Sequence, residues 1–138
     1  MNFLIDTCLI SEFKRSEPEP KVIRWLSDQI EESLYLSVIT IGEIQRGISL
    51  LADSRKKTEL ENWLHSLIIR YDGRVLGLDS EELIFWGDMV ATLEKRGRVL
   101  PLMDSLIAAT ALSHDLTLVT RNETDFDGTG VRVLNIWK

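Results

Sequence analysis

Short apolar runs recur along this chain, and stretches with helical periodicity separate most of them. The runs fall at residues 2–5, 34–38, 74–78, 116–120 and 131–136, each of strand length and rich in Leu, Ile and Val. Between them the apolar positions repeat every three or four residues. Leu9 to Phe13 begins a helix that Glu17-Pro18-Glu19-Pro20 breaks, and Val22, Ile23, Trp25, Leu26 and Ile30 mark another over residues 20–31. Thr40 reads as the N-cap of a helix carrying Ile41, Ile44, Ile48 and Leu51, with Glu43 in its first turn. Leu60, Trp63, Leu64, Leu67 and Ile68 form the stripe of a helix over residues 55–70. Asp79 with Glu82 resembles a capping box opening a helix with Leu83, Trp86, Val90 and Leu93, which Gly97 terminates. Asp104 heads an apolar helix over residues 105–113. Strands that alternate with helices pair in parallel, so the expected fold is α/β: a mostly parallel central sheet covered by helices on both faces, an α/β/α sandwich. With no linker, repeat or low-complexity segment, residues 1–138 are expected to form a single domain.

Charge excludes one class of function. A net charge of −6 does not suit a protein that holds nucleic acid by bulk electrostatics alone. It leaves room for an enzyme whose carboxylates bind cations, because the cations restore positive charge where a phosphate sits. The basic groups Lys14–Arg15, Arg55–Lys56–Lys57 and Arg96/Arg98 read as solvated faces. No apolar run approaches the ~20 residues that span a bilayer, and no signal peptide or membrane association is expected. A single cysteine, Cys8, has no internal disulfide partner, so a cytoplasmic location is expected.

The acids are the informative residues. In open α/β sheets, sites form beyond the carboxyl ends of the strands. Asp6 follows the first strand, Glu43 begins the helix after the second, and Asn122 and Asp125 follow the strand ending at Thr120. Asp104 heads the helix that feeds that strand, which starts on the same side of the sheet. Carboxylates gathered this way repel and raise one another's pKa unless a cation sits among them. An all-oxygen donor set suits Mg²⁺ or Mn²⁺, which would activate water for attack on a phosphodiester.

Each acid also has a purely structural role open to it. Asp104 can cap its helix, Glu43 can complement a helix dipole, and Asp125 can form an Asx-turn. Asp6 is harder to explain so, because an acid directly after a buried strand is costly without a partner. The sequence contains no Cys/His cluster for zinc and no phosphate-cradling Gly-rich loop. His65, His114 and Cys8 read as structural, and the four tryptophans as core.

Several motifs also resemble a known family. Asp6-Thr7 after an N-terminal strand, Ser37-x-x-Thr40-x-x-Glu43, Asp104-x-x-Ile107-Ala108-Ala109-Thr110-Ala111 and Thr120-Arg121-Asn122 followed by Asp125-Phe126 resemble the PIN-domain ribonucleases. More narrowly they are similar to VapC-type toxins of toxin–antitoxin pairs, including the FitB-like branch. The resemblance runs from Leu4 to Asn135-Ile136-Trp137, and the Asp104 segment is its most specific part. It implies a PIN-like fold and a Mg²⁺- or Mn²⁺-dependent endoribonuclease with Asp6, Glu43 and Asp104 as metal-binding catalytic acids. The fourth acid falls at Asn122 in some members and at Asp125 in others. Asp125 is favoured here, with Asn122 orienting water or phosphate and Thr7 and Thr40 as hydroxyl neighbours of the metal. Cys8 stands where Asn is usual in the family. The implied partners are an RNA such as tRNA and a VapB/FitA-like antitoxin, with self-association into a homodimer or a larger complex with the antitoxin. Operator DNA would be reached only through that antitoxin. The alternative is a chain that acts mainly as the antitoxin's partner in operator regulation. A haloacid-dehalogenase-type phosphatase needs a second acid two residues after Asp6, where Cys8 stands. The helices over residues 20–31 and 41–51 are apolar enough to leave a groove for an antitoxin segment.

Overall fold

The computed structural model describes residues 1–12 and 15–138; Phe13 and Lys14, which fall in the expected first helix and first basic group, lie outside the described residues. Five strands form one sheet in the order β3-β2-β1-β4-β5: β1 Phe3–Ile5, β2 Leu34–Ser37, β3 Val75–Leu76, β4 Thr117–Val119 and β5 Val133–Leu134. Every pairing is parallel, with Leu4 opposite Leu118 on one side of β1 and Tyr35 on the other. The α-helices are α1 Thr7–Glu12, α2 Pro20–Ser27, α3 Val38–Ser49, α4 Arg55–Arg70, α5 Ser80–Lys95 and α6 Leu102–Ser113.

The period-2 geometry of a strand explains the two layers. Phe3, Ile5, Leu34, Leu36 and Val119 point into one core, with Leu9 and Ile10 of α1, Val22 of α2, Ile44 and Ile48 of α3 and Leu64 of α4. Leu4, Tyr35, Leu118 and Val133 alternate with them and meet Ile107, Ala108 and Ala111 of α6 and Met89 of α5 on the other face. The small residues of α6 let that helix lie close on the sheet. The tryptophans pack rather than project: Trp25 meets Phe3 edge-on at 5.0 Å, and Trp86 donates its indole N–H to Ser105 Oγ at 2.9 Å.

Helix ends follow local chemistry, with corrections to the expected boundaries. Helix α2 ends at Ser27 rather than near residue 31, and a 3-10 turn, Glu31–Ser33, leads into β2. Ser37, not Thr40, caps α3 by accepting the Ile39 N–H, so the helix starts earlier and Glu43 falls in its second turn. Pro101 precedes α6, whose first turn therefore contains Asp104 as its third residue rather than as its cap. Asp79 does cap α5 through the Glu82 N–H, while the Glu82 carboxylate lies 3.5 Å from His114 Nε2. Gly97 ends α5 at φ +82°, with its N–H on Glu94 and the Arg98 N–H on Leu93, a Schellman ending. Asp115 ends α6 the same way at φ 53°, a left-handed position that Asp tolerates better than most residues. The last crossover, between β4 and β5, contains only a 3-10 turn, Glu123–Phe126.

The chain's two ends are also tied together. Glu12 is buried, and its carboxylate accepts the Glu19 N–H at 2.7 Å, the Trp137 indole N–H at 3.4 Å and the Arg15 guanidinium at 3.3 Å. The Glu19 N–H, with Trp137 and Arg15, holds that carboxyl below its ordinary pKa. Among the described residues no helix is long and apolar enough to cross a membrane.

Candidate metal-binding active site

The strand order places a switch point between β1 and β4, because the chain leaves β1 toward β2 on one side and returns as β4 on the other. Crevices at such points, outside the carboxyl ends of the strands, are where α/β sheets bind ligands. Asp6 occupies this one. Its N–H pairs with the Val119 carbonyl at 3.1 Å, so the last bond of the ladder fixes its backbone. Its side chain is 8% exposed, and both oxygens are engaged. Oδ1 accepts the Thr7 N–H at 2.8 Å, while Oδ2 accepts the Thr120 hydroxyl at 2.7 Å and lies 3.7 Å from the Cys8 sulfur.

Thr7 links Asp6 to the next acid, since its hydroxyl donates to Glu43 Oε1 at 2.9 Å. That bond joins the first turn of α1 to the second turn of α3. Thr120, fully buried, accepts the Asn122 N–H at 3.2 Å, which turns the chain sharply after β4. Cys8 braces the same corner: its sulfur accepts the Arg121 N–H at 3.4 Å and lies 3.6 Å from Thr120 Oγ1. Burial and then the charge of Asp6 push the Cys8 thiol above its ordinary pKa, which disfavours the thiolate a nucleophile needs.

Asp104 and Asp125 complete the group differently. Asp104 is half-buried near the start of α6, and no hydrogen bond to its carboxyl occurs among the described residues. Burial raises its pKa, and the charges of Asp125, Asp6 and Glu43, in that order, raise it further. These four acids therefore share one electrostatic field, though they come from four separate segments. Asp125 is exposed in the Glu123–Phe126 turn. Arg98 supports that turn, donating to the Thr124 and Asp125 carbonyls at 3.3 and 3.2 Å.

The other expected residues divide. Thr7 lies between two of the acids, as expected of a hydroxyl neighbour. Asn122 is exposed beside them, and its backbone rather than its side chain makes the recorded bonds, donating to Thr120 and accepting from Asp125 at 3.2 Å. Thr40 is 1% exposed, on the buried stripe of α3 with Ile44 and Ile48 and one turn before Glu43, and its hydroxyl makes no bond to the acids among the described residues. Two residues carry roles the sequence did not signal. Thr120 clamps Asp6, which becomes visible only once β1 and β4 are known to be neighbours. Arg98, read as part of a solvated basic group, is half-buried against the Asp125 turn.

As placed, no three Asp, Glu, His or Cys residues among the described ones close up into a ready cage for an ion. The donor chemistry nevertheless fits a hydrated hard cation. Mg²⁺ retains several waters and is commonly held through one or two carboxylates rather than enclosed by protein. The repulsion felt by Asp104 is the kind a cation relieves, and no imidazole is present in the group to favour zinc.

Comparisons with known proteins agree with this architecture. The PIN domain family profile matches residues 3–131. The chain is 36% identical over 135 residues to "Toxin FitB" of Neisseria gonorrhoeae, covering 97% of each chain. It is 32% identical over 136 residues to "VapC ribonuclease Y4jK" of Sinorhizobium fredii, covering 98% of this chain and 97% of that one. A solved structure of FitAB bound to an IR36 DNA fragment superposes with a TM-score of 0.92 at 34% identity, covering 99% of this chain and 96% of that one. A parallel α/β/α sandwich, acids gathered at its switch point and full-length similarity to these relatives together place the chain in the PIN-domain family, beside the VapC and FitB proteins.

Proposed function

We propose that this protein is a divalent-metal-dependent endoribonuclease that acts as the toxin of a toxin–antitoxin pair. The observation that carries the reading is the convergence of acids from four segments at the switch point, where burial first and then the charges of Asp125, Asp6 and Glu43 raise the pKa of Asp104. Asp6, Glu43, Asp104 and Asp125 are the metal-binding and catalytic acids. Asp125 is assigned the fourth position rather than Asn122, since it brings a charge that Asp104 feels and Asn122 has none to offer a cation. A bound Mg²⁺ or Mn²⁺ supplies Lewis acidity, lowering the pKa of water and neutralising phosphate charge.

The protein's part is to prepare the oxygens. The Thr7 N–H and Thr120 hydroxyl orient the two oxygens of Asp6, and the Thr7 hydroxyl holds Glu43 in register with it. Asp104, without a hydrogen-bond donor among the described residues, keeps its lone pairs for the cation and is charged most readily when the cation is present. The substrate class is RNA, with structured RNA such as tRNA as the expected target. The printed names of the relatives, a ribonuclease and a toxin, support the reading.

A FitA/VapB-like antitoxin is the proposed partner, supported by the FitAB neighbour. Beside the expected surface along α2 and α3, a groove of 370 Å³ between α2 and α4, lined by Leu26, Trp63 and Leu67 with Glu31 and Arg70 at its edge, is offered to it. In such a complex the chain would reach operator DNA only through the antitoxin; the FitAB neighbour is itself bound to a DNA fragment. A homodimer in the cytoplasm is the state expected of the active chain.

The test is cleavage of an RNA pool with Mg²⁺ or Mn²⁺ by the wild-type, Asp6→Ala and Asp104→Asn chains. Loss of cleavage in both variants, with antitoxin binding retained, is the expected result. Equal cleavage by all three chains at matched purity overturns the enzyme reading and leaves only the partner role.

A further inference from the structure

A second cavity adjoins the acids, and most of its lining has no part in the chemistry above. Its volume is 560 Å³, within the range of about 300–1,000 Å³ usual for small-molecule sites. Thr7 and Glu43 form its inner end, so it opens directly from the candidate metal site. Helix α3 supplies its floor. Val38, Gly42 and Arg46 lie four residues apart on one face of that helix, and Ile39 lies beside them. Met103, the residue before Asp104, forms the opposite wall.

Three features of this groove point to the same occupant. Its apolar rim is open to solvent, with Val38 41% and Met103 47% exposed. A Cβ built on Gly42 would meet nothing within 4 Å, so the space above the middle of the floor is empty. Arg46 is the only cation lining the groove among the described residues; it is exposed, and none of the ion pairs among those residues involves it. It stands one turn beyond Glu43, about 4.5 Å further along the helix axis. A flat apolar surface with one free guanidinium, continuous with a cluster of acids, suits a ligand that has both a π-face and an anionic group. Single-stranded nucleic acid has both: bases pack on apolar and soft side chains such as Met, and phosphates pair with Arg.

We infer that the groove between α3 and the start of α6 is a nucleotide subsite that receives the RNA residue flanking the cleaved bond. Its base lies over Gly42 against Val38, Ile39 and Met103, and its phosphate pairs with Arg46. This rests on the ribonuclease reading for the identity of the neighbouring site. Arg46 also answers a problem of charge, since a chain of net charge −6 with four acids at its site needs a cation on the substrate's path.

The test uses binding as well as cleavage. A fluorescein-labelled single-stranded RNA oligonucleotide is titrated into the full-length Asp104→Asn chain, alone and combined with Arg46→Ala, Arg46→Lys or Gly42→Leu. Gly42→Leu fills the groove from a position where nothing obstructs the new side chain, and Leu favours the helix over Gly. Arg46→Ala and Gly42→Leu are each expected to weaken binding about tenfold. Arg46→Ala should also lower the salt dependence by about one counterion, with Arg46→Lys restoring most of both. In the otherwise wild-type chain, Gly42→Leu should raise KM and shift the preferred cleavage position while leaving kcat largely intact. Unchanged affinity in both variants overturns the subsite, as does an absence of RNA binding throughout. If Gly42→Leu alters self-association and leaves RNA affinity intact, the groove belongs to a second copy of the chain, and the subsite is overturned. Should the wild-type chain cleave no RNA while the binding effects stand, the ribonuclease reading fails and the subsite remains.

Discussion

The two halves of the acid cluster are built on opposite plans. On the β1 side, Asp6 and Glu43 are held by hydrogen bonds from Thr7 and Thr120, and Asp6 is anchored by the sheet ladder itself. On the α6 side, Asp104 has no hydrogen-bond donor among the described residues, and Asp125 sits exposed on a turn held around it rather than at its carboxylate: by Arg98 on its carbonyls, by Lys138 on Glu123, and by Phe126 buried in the core. One half is set in place by the fold, whereas the other is left under electrostatic strain that a cation can relieve. Preorganised donors reduce the reorganisation required at the moment of reaction, and uncompensated acids make occupancy depend on the ion.

The largest effect expected to test this contrast is a difference between two isosteric changes. Asp6→Asn should lower metal-dependent RNA cleavage by about 10³-fold, because it removes the charge that the rigid half presents. Asp125→Asn should cost only about 10–50-fold, since an exposed turn residue is more readily replaced by water. Steady-state rates on one RNA at saturating Mn²⁺ measure both, and equal losses would remove the distinction. Next in size is Thr120→Val, which strips Asp6 of its hydroxyl donor within the same shape. Divalent-metal affinity by calorimetry should fall about 10–100-fold, the usual cost of losing such support, and Thr120→Ser should recover it.

Arg98→Met addresses the loose half. It keeps the aliphatic stem but removes the donors to the Thr124 and Asp125 carbonyls, so cleavage should drop by up to about tenfold with metal affinity little changed. A drop as large as that of Thr120→Val would mean that the Asp125 turn is as firmly engaged as the Asp6 corner. The smallest effect concerns stability without metal. The folded-state pKa of Asp104 is raised, so the folded chain binds its proton more tightly than the unfolded chain does. Its contribution is fully present below the unfolded value near 3.8 and is lost as pH rises through the folded value. Asp104→Asn, which cannot ionise, should therefore raise Tm at neutral pH in EDTA by on the order of 3 °C. Below the unfolded pKa of Asp104 this advantage should vanish, and added Mg²⁺ should stabilise the wild-type chain but scarcely the variant.

Much of this arrangement could be read from residue spacing, and the rest depends on which strands are neighbours. The strands at Phe3–Ile5 and Thr117–Val119 were legible as apolar runs, and the ends of α5 at Asp79 and Gly97 as local capping chemistry. The start of α6 was misplaced because Asp104 suited a cap. Pro101 takes that position instead, and the Asp104 side chain is released for the site. Thr40 was misread as a cap for a related reason: Ser37 caps α3, and Thr40 lies buried within its first turn. Thr120 and Arg98 act on residues more than twenty positions away, through contacts that no local pattern contains.

The bond between Thr120 and Asp6 joins residues 114 positions apart, and it has a consequence for the timing of synthesis. A chain made from its N-terminus has Asp6 and Glu43 early, yet the strand that braces Asp6, together with Asp104 and Asp125, comes from its final third. Such long-range pairings form late because loop closure must precede them. A polypeptide still tethered to its ribosome and not yet emerged past Thr120 thus lacks Asp125 and the hydroxyl that clamps Asp6 Oδ2. For a protein proposed to cut RNA, the order of the strands delays completion of the site until the chain is nearly finished.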